Sequence, residues 1–143
     1  MPEPMVEVRL HLQDQGCDAR TARRVMAEAI TASGSRVDPT EVTLLVDELI
    51  SNALRYAGGA VDVLAWVGRD SLWAEVRDAS PVLPALRQPP PESQQDGGRG
   101  LWLVNELSTA WGTRRVGTGK VVWFESRAGE VPPSEHEGPA RED

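Results

Sequence analysis

Apolar and polar residues alternate along "VEVRLHL", Val6 to Leu12, and a period of two predicts a strand. After Asp18 the period changes. Ala22, Val25, Met26, Ala29 and Ile30 recur at helical spacing in "DARTARRVMAEAITAS", with Asp18 as N-cap and Gly34 as the stop. A second helix is more fully marked. Asp38 caps it, Pro39 takes the first helical position and Glu41 the third, a capping-box arrangement. Its apolar stripe is Val42, Leu45, Val46, Leu49, Ala53 and Tyr56, and it ends near Ala57, before Gly58 and Gly59.

"VDVLAWV" and "LWAEVRD" flank "GRDS", residues 68–71, and read as a hairpin with a four-residue loop. In its second strand Leu72, Ala74, Val76 and Asp78 share a face, which the first three turn toward the core. "PVLPALRQPPPESQQDGGRG" has no period and reads as a long loop, with residues 81–98 as a lid. "LWLVNELS" is a short helix, and "WGTRRV" and "VVWFES" form a second hairpin around "GTGK". The expected fold class is α+β: a two-layer sandwich of a mostly antiparallel, mixed sheet with helices on one face. Residues 1–126 form one domain, followed by an acidic tail, 127–143, whose Pro, Glu and Gly content predicts disorder.

Composition narrows the function classes. A net charge of −7 and a pI near 4.9 argue against direct binding of nucleic acid or anionic lipid, which needs clustered Lys and Arg. Cys17 is the sole cysteine, so no intrachain disulfide can form. No apolar run approaches the span of a bilayer and the N-terminus lacks a signal-peptide core. The expected setting is the reducing cytoplasm, with no membrane association.

Three features carry candidate chemistry. Glu48, Asn52 and Arg55 fall on successive turns of the second helix, beside its apolar stripe. Alone, that is equally the pattern of a solvated helix edge. "GGRGLWLV" runs glycines into a helix N-terminus, where unpaired amides and the helix dipole favour an anion, although a flexible loop end has the same composition. Asp78 ends a buried strand face and so needs a hydrogen-bond donor. The exocyclic amine of adenine would serve, and so would a backbone amide in the following turn.

In order, "ELISNALRYA", "VEVRDASP", "GGRGLWLV" and "GTGKVVWFE" resemble the Bergerat-fold (GHKL) ATP-binding superfamily, and within it the single-domain anti-sigma-factor serine/threonine kinases of actinobacteria. The resemblance spans roughly residues 5–126. It implies Glu48 as general base, Asn52 as ligand of Mg²⁺, Arg55 facing phosphate, and Asp78 accepting from adenine. Gly98, Arg99, Gly100 and Leu101 would hold phosphate through backbone amides. It further implies ATP and Mg²⁺ as cofactors, with a sigma factor and an anti-anti-sigma (STAS-type) protein as partners. Two departures stand out. Ala79, Ser80 and Pro81 follow Asp78 in place of the superfamily's x-G-x-G. Val121 stands where the branch commonly has Thr, which predicts the loss of one adenine-side hydrogen bond.

The alternative is a module without catalysis that binds nucleotide weakly or not at all and sequesters a partner. A histidine kinase is disfavoured, because His11 falls in a strand and His136 in the tail. The face of the sheet without helices is expected to place Trp66 opposite Trp73, with Leu64 beside them, and Trp123 opposite Arg114. Such a Trp-bearing patch implies a partner or a homodimer, unless the first strand or the tail covers it.

Overall fold

A computed structural model describes residues 6–12, 18–57, 59–81, 98–129 and 140–141. The lid interior (82–97) and most of the tail lie outside the described residues, as do the side chains of Arg55 and of residues 98–100.

Among the described residues, six strands form one sheet: β1 (Val6–Leu12), β2 (Val61–Val67), β3 (Ser71–Asp78), β4 (Ala110–Val116), β5 (Gly119–Arg127) and β6 (Ala140–Arg141). Their order is β1-β2-β3-β5-β4-β6, antiparallel except for the short β6, which runs parallel to β4. Within the tail, Ala140 and Arg141 pair with Gly112 and Thr113 of β4. Among the described residues, three helices pack on one face: α1 (Ala19–Ser33), α2 (Pro39–Ala57) and α3 (Gly98–Leu107). This is the two-layer α+β sandwich that the periodicities predict.

The caps follow the sequence. The Asp18 carboxylate accepts from the Thr21 amide at 2.9 Å, and Gly34 closes α1 in the left-handed region at φ 77°. At α2, Asp38 accepts from the Thr40 amide at 3.0 Å. The core lies between the layers. Ala22, Met26 and Ile30 of α1 and Val42, Leu45, Val46, Leu49, Ile50 and Ala53 of α2 bury against the inward residues of the strands.

The first hairpin has the expected register, Val67 opposite Leu72 and Trp66 opposite Trp73. The second does not. Val116 pairs with Gly119, so the loop is the two residues Gly117–Thr118, with Gly117 at φ 60°. Trp123 consequently faces Gly112, and Arg114 faces Val121. The shift is two residues, which preserves the alternation of faces, so Val122 and Phe124 still point to the core.

Candidate functional site

The register fixes which segments meet at one end of the sheet. Ser35 Oγ donates to the Gly68 carbonyl at 2.6 Å, and the Arg36 amide to that of Arg69 at 2.7 Å. Those bonds tie the start of α2 to the β2–β3 turn. The helix then runs the length of the sheet and returns through a short connection to Val61, whose neighbour Asp62 pairs with Arg77. Its C-terminal half therefore lies toward the end of β3 that carries Asp78. The other end of α3 is fixed by the Thr109 amide, which donates to the Glu125 carbonyl at 2.8 Å, near the β2–β3 turn. The first turn of α3 thus points back toward Asp78. Four segments converge there: the second half of α2, the end of β3, the start of β5 and the N-terminus of α3.

On α2, Glu48 and Asn52 are half-buried, one turn apart. The side-chain oxygen of Asn52 is buried and has no hydrogen-bond partner in the structure. A buried acceptor left unpaired costs on the order of 1–3 kcal/mol, so it marks a place where a donor or a cation fits. Asp47, beside Glu48, has its carboxyl pushed above the ordinary range by burial. The Glu48 charge adds to that effect and Arg23, 3.9 Å away, opposes it.

Gly98, Arg99, Gly100 and Leu101 form the first turn of α3 rather than a turn ahead of it. Its first amides have no partner within the helix by geometry. Leu101 is buried in the core beneath them. The Arg55 backbone continues α2 in the same direction.

Asp78 is the most fully determined residue of the set. It lies opposite Lys120 in the β3–β5 register, and the Lys120 Nζ donates to Oδ1 at 2.9 Å and to Oδ2 at 2.8 Å. The Ser80 amide donates to Oδ1 at 2.8 Å. Both charged side chains are nearly inaccessible, 6% for Lys120 and 2% for Asp78. The turn amide therefore does serve Asp78, as one of the two expected donors, and Lys120 is a second donor that the sequence reading missed. A Lys alternating with Val122 and Phe124 on a core-facing strand was the available signal, because a buried ammonium needs a carboxylate.

Gly119 makes this pairing possible. A Cβ built there would stand 2.0 Å from the Asp78 carbonyl oxygen, so the two backbones approach closer than any side chain allows. Val121, by contrast, pairs with Arg77 on the opposite face of the sheet. The residue that decides the polar contacts of Asp78 is Lys120, and the expected effect of Val121 on an adenine-side bond does not follow from this register.

The outer face differs from the expected apolar patch. Trp73 and Trp123 stack with ring centroids 4.3 Å apart and planes 7° from parallel. Glu75, buried between them and Arg77, accepts from the Trp73 indole at 3.1 Å and from two Arg77 nitrogens at 3.3 and 3.0 Å. β1 lies at the sheet edge and does not cover this face. A cavity of about 520 Å³ opens here, lined by Arg9, His11, Asp62, Leu64, Trp66 and Arg77. None of the predicted site residues lines it.

The fold is a two-layer α+β sandwich in which the second half of α2, the end of β3, the start of β5 and the first turn of α3 lie toward one end of the sheet. A family profile described as "Histidine kinase-like ATPase domain" matches residues 12–125, and the chain belongs to that family of ATP-binding GHKL domains. Among solved structures, the chain is similar to the catalytic domain of the histidine kinase ThkA in nucleotide-free form. The TM-score is 0.50 at 15% identity, with 88% of this chain and 99% of that one covered. It is also similar to the histidine kinase domain of the E. coli osmosensor EnvZ. There the TM-score is 0.44 at 16% identity, with 100% of this chain and 99% of that one covered. The ThkA likeness supports the fold alone. No curated protein matches the chain. Among the described residues, no helix is long and apolar enough to cross a membrane.

Proposed function

We propose that the protein is a cytoplasmic anti-sigma regulator that binds ATP and Mg²⁺ and phosphorylates a serine or threonine of an anti-anti-sigma partner of STAS type. The observation that carries this reading is on α2: a carboxylate, Glu48, one turn before an amide, Asn52, whose oxygen is buried and unpartnered. The donor chemistry fits magnesium, which prefers oxygen ligands and keeps most of its waters. Among the described residues there is no cluster of three or more His, Cys, Asp and Glu. Asn52 would be one ligand beside phosphate and water. Bound Mg²⁺ would neutralise charge on the phosphates.

Each residue then has a defined task. Glu48 takes the proton from the acceptor hydroxyl as its oxygen bonds to the γ-phosphorus and the bond to the bridging oxygen of ADP breaks. The first-turn amides of α3, those of Gly98, Arg99, Gly100 and Leu101, hold the phosphates, and Arg55 is the basic residue assigned to face them. Asp78 receives the adenine amine. The sigma factor is the second partner, and exchange between the two partners couples phosphorylation to sigma release.

The test is phosphate transfer from ATP to the partner by the purified chain. Glu48→Ala should lower the rate by about 10²–10⁴-fold, the usual worth of general-base catalysis, and leave partner binding intact. Transfer that persists at the native rate would remove Glu48 from the mechanism. One observation favours the second reading, a sequestering module with weak or no nucleotide binding: Asp78 is already held by Lys120 and Ser80. On that reading no transfer occurs with either chain while the partner is still bound.

A further inference from the structure

The side of the sheet away from the helices has two halves. Toward β5 it is filled by its own side chains: Trp73 stacks on Trp123, and Glu75 and Val121 are buried. Toward β1 it is open, and the cavity of about 520 Å³ lies there. Strand register gives its plan. Asp62, Leu64 and Trp66 of β2 face outward in succession. Leu64 lies between Arg9 and Glu75, and Asp62 between His11 and Arg77. The cavity thus has Leu64 at its centre and the half-buried ring of Trp66 at one end. Asp62 and Arg77 stand at the other end, with Arg9 alongside.

Both guanidinium groups keep donors in reserve, since each has five N–H bonds in a fixed fork. Arg77 gives Nε and Nη2 to one oxygen of Glu75, a buried carboxylate that also receives the Trp73 indole. Its fork is therefore anchored, and its Nη1 makes no hydrogen bond among the described residues. Arg9 gives Nε to Glu7, and both of its terminal nitrogens are likewise unengaged. Asp62 meets His11 through Oδ1 and keeps Oδ2.

The lining therefore offers charges of both signs at one end and apolar surface at the other. A lone anion would face Asp62, and a lone cation would face Arg9 and Arg77. A zwitterion satisfies both. The volume falls in the usual range of small-molecule pockets, about 300–1,000 Å³. A carboxylate would meet the spare guanidinium donors, an ammonium would meet Asp62, and an apolar side chain would cover Leu64 and stack on Trp66.

We propose that this cavity binds an apolar α-amino acid as its zwitterion, with an aromatic side chain preferred, through Arg9, Arg77, Asp62, Leu64 and Trp66. The proposal is independent of the nucleotide-binding reading, because the cavity lies on the side of the sheet opposite α2 and α3.

The experiment titrates the full chain with L-phenylalanine, with phenylacetate, which lacks the ammonium, and with phenethylamine, which lacks the carboxylate. The readout is the indole N–H resonance of Trp66, assigned with Trp66→Phe, and urea unfolding of each variant is measured alongside. L-phenylalanine should bind saturably and about tenfold or more tighter than either analogue, because each analogue leaves one charged group of the site unpaired. Asp62→Asn should weaken L-phenylalanine and leave phenylacetate unchanged or tighter. Arg9→Gln should weaken L-phenylalanine and phenylacetate and leave phenethylamine unchanged or tighter. If Asp62→Asn does not fold, Arg9→Gln, at an exposed position of the edge strand, carries the test alone. Residues with a merely structural role would shift all three ligands by one factor, which would overturn the proposal. Equal affinity of the native chain for the three ligands would overturn it as well. So would the absence of any saturable shift of Trp66 at about 10 mM ligand.

Discussion

Trp73 and Trp123 stack face to face on the side of the sheet that no helix covers, with centroids 4.3 Å apart. They are not directly opposite in the β3–β5 ladder, where Trp73 faces Glu125 and Trp123 faces Glu75. Their contact is diagonal, within the reach of large side chains on adjacent strands. Trp123 is only 5% exposed. Trp123→Ala should therefore lower stability by about 3–5 kcal/mol in urea unfolding. A double-mutant cycle with Trp73→Ala should return a coupling of about 0.5–1.5 kcal/mol, the part due to the stack. Additive losses would mean that the two rings stabilise the sheet independently.

Gly117 and Gly119, two residues apart, should fail for different reasons. Gly117 sits at φ 60° with open space around it, so Gly117→Ala has only a backbone penalty, about 1–2 kcal/mol. Gly119→Ala drives a methyl into the Asp78 carbonyl and must separate β3 from β5, at a cost of about 1–3 kcal/mol or more. Only the second should also change ATP affinity, because only it moves Asp78 against Lys120. Equal effects on binding would contradict that separation.

Two carboxylates should give opposite pH dependences. Burial, assisted by Glu48, raises the Asp47 carboxyl above its ordinary 3.8. The folded state then binds the proton more tightly than the unfolded chain, so stability falls as pH rises from 3.8 through the folded value. Asp47→Asn should be more stable than the native chain at pH 7, with the advantage shrinking toward pH 3.8. Asp18 runs the other way. The hydrogen bond from the Thr21 amide lowers its carboxyl, so its stabilisation is present above 3.8 and is lost as pH falls through the folded value. Asp18→Ala should destabilise at neutral pH, and the deficit should close in acid. Urea titrations across pH 2–8 check both signs.

The elements were legible in the sequence because their signals are local. Asp18, Asp38 and Gly34 mark helix ends through bonds that span a turn or less. The period of two along β1, β2 and β3 is read from neighbours alone. What escaped depends on distant partners or on ambiguous turns. "GTGK" accommodates a two-residue or a four-residue loop, and both keep Val122 and Phe124 inward, so periodicity cannot choose between them. The Lys120–Asp78 pair joins residues 42 apart in sequence, through a β3–β5 register that no local pattern encodes. The Trp73–Trp123 stack is hidden for the same reason. Of the candidate site, the backbone framework turns the second half of α2, the end of β3 and the first turn of α3 toward one end of the sheet.

The most direct test of the central claim is ATP binding by calorimetry, with and without Mg²⁺, for the native chain and for Asn52→Ala. The native chain should bind ATP more tightly with Mg²⁺ than without it. Asn52→Ala should lose that dependence while keeping most of its metal-free affinity. Equal affinity in all four conditions, or no binding in any, would contradict an ATP site built around α2, Asp78 and the N-terminus of α3.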